Sequence, residues 1–215
     1  MPRINKPVVA HACIAASLIG TLAIARQDGG MPEMDERHPL AGLSVEDPAA
    51  AMQQYMESME PGKPHSWLAQ LVGDWDVTSK IVWDPAAPPM TSQASASYEM
   101  VLGNRFLKQN FNGNMMGMPF EGIGYTGFDK AGKMFTGVWM DSFGTGTASM
   151  RGSMSPDGST LTMFGEMDEV MTGEYRKPVK FVVRIVDEDT HVFEAWEIAY
   201  GEPWMVMEHT YNRRK

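Results

Sequence analysis

From residue 73 onward, apolar and polar positions alternate. Trp75, Val77, Ser79, Ile81 and Trp83 fall on one parity, with Asp76, Thr78 and Lys80 between them. A period of two marks a strand with one buried face. The pattern recurs between turn signals and predicts about ten strands: 73–83, 92–102, 105–112, 118–128, 133–141, 145–154, 159–167, 178–187, 191–200 and 203–213. Asp129-Lys130-Ala131-Gly132 and Ser155-Pro156-Asp157-Gly158 are tight-turn sequences. Such short links favour neighbour-to-neighbour pairing, and closing the sheet removes its exposed edges. The expected fold is all-β: an antiparallel up-and-down β-barrel of about ten strands over residues 64–215.

Ahead of the barrel the period changes. Met52, Tyr55, Met56 and Met59 fall at i, i+3, i+4 and i+7, which predicts a short helix within 47–63. Asp47 suits its N-cap, Pro48 its first turn, and Pro61-Gly62 its end. The helix would lie on the barrel or serve as a lid over one mouth. A second helical turn is expected near 64–71. Residues 26–46, with Gly29-Gly30, Pro32 and Pro39, read as a flexible linker. Residues 1–25 have the form of a signal peptide: Arg3 and Lys6, an apolar stretch, then Ala23-Ile24-Ala25 before Arg26. The expectation is an exported protein, periplasmic or secreted, with no stable membrane insertion after cleavage. A retained anchor is the alternative.

Composition narrows the chemistry. Hydrophobic residues make up 43% and charged residues 21%, enough for a packed core. The net charge is −9, and loss of Arg3 and Lys6 would take it to −11. Such a chain repels nucleic-acid phosphates and anionic membrane surfaces, so neither is an expected partner. Cleavage would also remove Cys13, the only cysteine. That leaves no disulfide, thiol nucleophile or zinc-thiolate site.

Several segments together resemble the bacterial Domain of Unknown Function 1579 family. They are His65-x-x-Leu68, Leu71-Val72-Gly73-Asp74-Trp75, Leu102-Gly103-x-Arg105-Phe106-Leu107 and Met115 to Gly122. Gly127-Phe128-Asp129, Trp139 to Ser142, Met171-Thr172-Gly173 and Tyr211-x-Arg213 complete the set. Val170 departs from the proline the family pattern leads one to expect. The resemblance implies a lipocalin-like barrel, often exported, and no particular activity. Gly73, Trp75 and Arg213 are also similar to the calycin closure. There a tryptophan plugs the base and an arginine of the last strand packs across it.

Candidate chemistry is sparse. The 20 methionines, with Met115, Met116 and Met118 clustered, suit either a soft metal such as Cu(I) or a pliant apolar pocket lining. The histidines lack zinc-site spacing, so no metal site is expected. No cofactor is expected either. Haem through His209 is the alternative, from a loose likeness to nitrobindin-like barrels. His209 shares a face with Arg213, which points instead to an exposed or ordinary hydrogen-bonded histidine. Asp141 shares a face with Trp139, and Glu208 with Trp204 and Val206, so both carboxylates are candidates for the interior. Tyr125 or Arg184 could partner them. The expected ligand-binding residues are Phe120, Tyr125, Trp139, Asp141 and Glu208; no catalytic residue is assigned. The leading expectation is a non-enzymatic protein binding a small, mostly apolar molecule. Its alternatives are an enzyme using the interior carboxylates, and a structural or interaction module with a filled barrel.

Overall fold

The computed structural model describes residues 47–84, 86–169 and 172–215. The expected signal peptide and linker lie outside the described residues, as do Val170 and Met171. The chain divides into two units, 1–51 and 52–215. Of the first, only the opening turn of helix α1 (Pro48–Met59) is described. Asp47 caps it: its Oδ1 accepts the N–H groups of Ala49 and Ala50, both at 3.0 Å.

The second unit is a closed ten-stranded barrel. The strands are β1 (Gly73–Ile81), β2 (Met90–Val101), β3 (Phe106–Met115), β4 (Met118–Asp129) and β5 (Met134–Asp141). They continue as β6 (Ala148–Met154), β7 (Thr160–Glu169), β8 (Glu174–Asp187), β9 (Thr190–Glu197) and β10 (Trp204–Arg213). Each pairs antiparallel with its sequence neighbours, and β1 closes on β10 with Trp75 opposite Arg213. This is the up-and-down order that the short links predict. Closure satisfies every strand edge without covering it.

One end of the barrel is plugged. Helix α2 (Lys63–Ala69) crosses it and inserts Trp67 and Leu68, followed by Leu71, among Leu107, Phe135 and Leu161. Its start is fixed by His65, whose Nδ1 accepts the Gly62 N–H at 3.0 Å. Trp67 donates its indole N–H to the Gly158 carbonyl at 2.9 Å, tying the helix to the β6–β7 turn. The α1 stripe behaves differently from its expected packing. Met52 and Met56 are 49% and 53% exposed, so the stripe does not lie on the barrel wall. Lys130, in the β4–β5 turn at the plugged end, instead holds the end of α1 through the carbonyls of Glu57 and Glu60.

Gly73, Trp75 and Arg213 seal the base. Trp75 is 1% exposed and donates its indole N–H to the Leu71 carbonyl at 2.9 Å. The Arg213 guanidinium lies 4.2 Å above that indole ring. It also donates to the carbonyls of Gln70 (2.9 Å), Val72 (2.6 Å) and Glu188 (3.0 Å). Gly73 sits at φ 132°, and a Cβ there would come within 2.7 Å of Arg213 Nη1. Glycine is therefore required both by its backbone angle and by the approach of the arginine. Arg213→Ala should cost about 2–4 kcal/mol, since it orphans three carbonyls and strips a cation from a buried ring. Arg213→Lys should recover little, because an ammonium lacks the planar fork. Urea unfolding of the three proteins checks both, with the midpoint falling at unchanged slope.

Candidate functional site: the open mouth of the barrel

Among the described residues no element crosses the end opposite α2. Inward-facing side chains there keep contact with solvent, whereas several of the most deeply buried ones lie nearer the base. Phe120, Trp139, Asp141, Met207 and His209 are only partly buried. Trp75, Phe135 and Leu161, deeper toward α2, are 1–2% exposed. The barrel is crossed by a helix at its base and accessible toward its mouth.

The mouth wall is aromatic. Phe111 is the hub: its ring lies 5.9 Å from Phe120, 6.4 Å from Trp139 and 5.3 Å from His209, the last a stacked contact. Phe120 also packs edge-on against Phe143 at 5.3 Å. Trp139 lies across β4, where a Cβ on Gly122 would overlap its indole. That glycine makes room for the ring. The indole N–H of Trp139 donates to Asp141 Oδ2 at 2.9 Å, and the other carboxylate oxygen accepts the Phe143 N–H at 2.9 Å. Three of the expected ligand-binding residues, Phe120, Trp139 and Asp141, are thus brought together on one wall.

The other two stand elsewhere. Tyr125 pairs with Lys108 and Val138 on the parity opposite to Gly122 and Gly124, so it faces outward. Glu208 is also outside, bound to Lys80 at 2.7 Å. The cause is a bulge in β10. Trp204 pairs with Glu197 and Met205 with Trp196, but the next partner, Ala195, meets Met207. Val206 is the extra residue, and it inverts the parity of everything after it. Trp204 faces inward, while Glu208 does not share its face. Arg184, the other expected partner for an interior carboxylate, lies outside near Glu194, at 3.8 Å. The same inversion turns Met207, His209 and Tyr211 inward. His209 therefore stands inside the barrel rather than on an exposed face.

Residues not anticipated from the sequence complete the mouth. Lys177 and Glu197 face inward by register with Val179 and pair at 3.1 Å, with Glu174 3.3 Å from the same ammonium. Strand β8 starts at Glu174, four residues before the expected strand, so alternation over 174–179 carries the signal for Lys177. A cavity of about 220 Å³ opens beside this wall, lined by Ile81, Trp83, Met90, Met115 and Met116 among others. Met115 and Met116 of the methionine cluster thus line a recess of mixed polarity, to which Thr91, Ser92 and Asn114 also contribute. A larger hollow of about 480 Å³ lies at the plugged end beside Trp75 and Arg213. Arg213 is already engaged there by three carbonyls, so the mouth is the better candidate site.

Two histidines are kept neutral inside the barrel. His191 is stacked on Tyr211 at 4.2 Å and meets Trp75 edge-on at 4.4 Å, and neither ring nitrogen has a hydrogen-bond partner among the described residues. Burial, with Arg213 adding to it, pulls its pKa down to about 3. Burial takes His209 to about 4. His209 Nδ1 lies 3.4 Å from the Tyr211 hydroxyl. Phe111 and Phe193 lie against its ring at 5.3 and 5.6 Å. Three aromatic rings thus pack round the His209 imidazole inside the barrel. Among the described residues no three histidines, aspartates or glutamates converge as a metal site.

A plugged, aromatic-walled barrel open at one end defines a lipocalin-like protein. The chain belongs to the family described as protein of unknown function (DUF1579), whose model matches residues 60–213. Solved structures share the barrel. The crystal structure of Rv2717c from M. tuberculosis aligns with a TM-score of 0.54 at 18% identity, covering 73% of this chain and 100% of that one. The S-type phycobiliprotein lyase CPES from Guillardia theta aligns at 0.50 and 12% identity, covering 75% and 97%. At these identities the likeness concerns the fold alone. A comparison with curated proteins found no match.

The two histidines predict a pH dependence. Their ordinary pKa of 6.5 applies to the unfolded chain, and the folded values are about 3 and about 4. Between these limits the unfolded state binds more protons. The histidine contribution to stability is therefore full above pH 6.5 and is lost as pH falls toward 4. In proton NMR across pH 8 to 5, the ring signals of His191 and His209 should stay unshifted. A midpoint near 6.5 for either would contradict its buried placement.

Proposed function

We propose that this protein is a non-enzymatic binder of a small, mostly apolar molecule, held at the open mouth of the barrel. One observation carries the reading: the inner wall of the mouth stays partly accessible and gathers Phe120 and Trp139 on Phe111, with the Asp141 carboxylate at the indole edge. Ligand sites have this make-up, an apolar wall with a few placed polar groups. The cavity of about 220 Å³ is smaller than the ~300–1,000 Å³ typical of drug-sized sites. The ligand is then small, or Met90, Met115 and Met116 move aside for it, as unbranched thioether chains readily do. An enzyme using Asp141 and Glu208 together has less support, because the barrel wall separates them. Export is part of the proposal and rests on the character of residues 1–25. N-terminal sequencing of protein from its own host should then begin at Arg26.

Native mass spectrometry of the protein from its own host tests the binding reading. A reproducible added mass that denaturation releases supports it. A bare protein that also takes up no added apolar compound removes it, and leaves the filled-barrel module. Phe120→Ala should weaken any such ligand about tenfold, the value of one aromatic contact of roughly 1.5 kcal/mol.

A further inference from the structure

The charges inside the mouth go further than its apolar wall. Register places three charged side chains on the inner surface of this half of the barrel: Asp141 on β5, Lys177 on β8 and Glu197 on β9. Lys177 is the one cation among them, and it is already held by Glu197 at 3.1 Å and Glu174 at 3.3 Å. Its side chain is 14% exposed and that of Glu197 13%, so the pair is largely withdrawn from solvent. Drawing Lys177 away would leave the Glu197 carboxylate unpaired, which is costly. The other basic side chains near the mouth are turned outward. Lys80 binds Glu208 on the outer surface, and Lys180 lies over Trp196.

Asp141 is the opposite case. Both its oxygens accept hydrogen bonds, but from neutral donors, the Trp139 indole and the Phe143 backbone. No lysine, arginine or histidine pairs with it among the described residues. Those two bonds fix the carboxylate in place without cancelling its charge. It stands at the N–H edge of the Trp139 indole, on the wall that Phe111 and Phe120 share with that ring. A carboxylate has further lone pairs to offer after two bonds.

From this arrangement we infer that the mouth selects amphiphiles carrying a basic nitrogen and rejects those ending in a carboxylate, with Asp141 as the residue that sets the preference. The inference rests on the binding reading above. An ammonium group would donate a charge-assisted hydrogen bond to Asp141, while its alkyl portion lies along the methionine and aromatic wall. A carboxylate in the same pose would meet Asp141 with no free cation to receive it.

The test is a matched set of probes: n-decylamine, n-decanol and n-decanoate, all below their aggregation limits, titrated into the full chain at pH 7.5 by calorimetry. The amine should bind about tenfold more tightly than the alcohol, and the carboxylate at least tenfold more weakly than the alcohol. Raising the salt concentration should weaken the amine and leave the alcohol unchanged. Asp141→Asn removes the charge, keeps one of the two acceptor oxygens for the Trp139 or the Phe143 N–H, and should bring the amine to within about twofold of the alcohol. If decanol binds but decanoate matches or exceeds decylamine, the charge preference is overturned while the binding reading stands. An amine preference that survives Asp141→Asn unchanged overturns the role of Asp141. If no probe binds, both readings fall together.

Discussion

The seam between the first and last strands governs this fold. A ten-stranded sheet becomes a barrel only when β1 finds β10, and that meeting is fastened by Arg213 lying on Trp75. The arginine is engaged on all sides: a ring below and three carbonyls around its edge. Those carbonyls come from the α2–β1 connection and from the β8–β9 turn. One side chain therefore joins the plug helix, the first strand, the last strand and a neighbouring hairpin. With the seam fastened at the base in this way, the opposite end can remain uncovered.

The division of the barrel follows from that asymmetry. Hydrophobic burial is concentrated where α2 inserts Trp67 and Leu68. Farther along, polar groups enter the interior: Gln109, Tyr211, His209 and Ser79 stand between the core and the mouth. The hydroxyl of Tyr211 accepts from Gln109 at 3.3 Å, and burial pushes its pKa up to about 12. These groups are tolerated because they bond one another or stay neutral. The mouth then adds a carboxylate held by an indole and an ion pair held between strands.

Much of the architecture was legible in the chain because alternation and turn chemistry are local. The strands fall close to their expected ranges, and the Gly73–Trp75 signal and Arg213 meet as the resemblance implies. Parity across a bulge was not legible. Val206 is an ordinary apolar residue in an alternating stretch, and nothing in it announces that the ladder slips there. Glu208 and His209 consequently exchanged faces. Tyr125 was misplaced for another reason. Gly122 and Gly124 have no side chain to mark the inner parity of β4, although they are the inward residues, as the indole of Trp139 over them shows. Lys177 was missed because β8 begins earlier than its turn signals suggest, and an inward lysine contradicts the usual pattern of a buried face.

The closing seam also constrains how the molecule comes into being. Trp75 and Arg213 are held together although nearly the whole barrel sequence lies between them. Contacts of such long sequence separation pay their loop entropy before they return anything, so they form late. While the chain is synthesised, each hairpin can pair with the one before it, yet Trp75 has no arginine to receive until the tenth strand has emerged. The growing chain is therefore an open, curling sheet with two unsatisfied edges, and it gains its cooperative stability in a single final step. A chain that locks only on completion is poorly folded throughout synthesis. That is a hazard where such edges can meet those of other chains, and an advantage if the chain must first be threaded through a narrow channel.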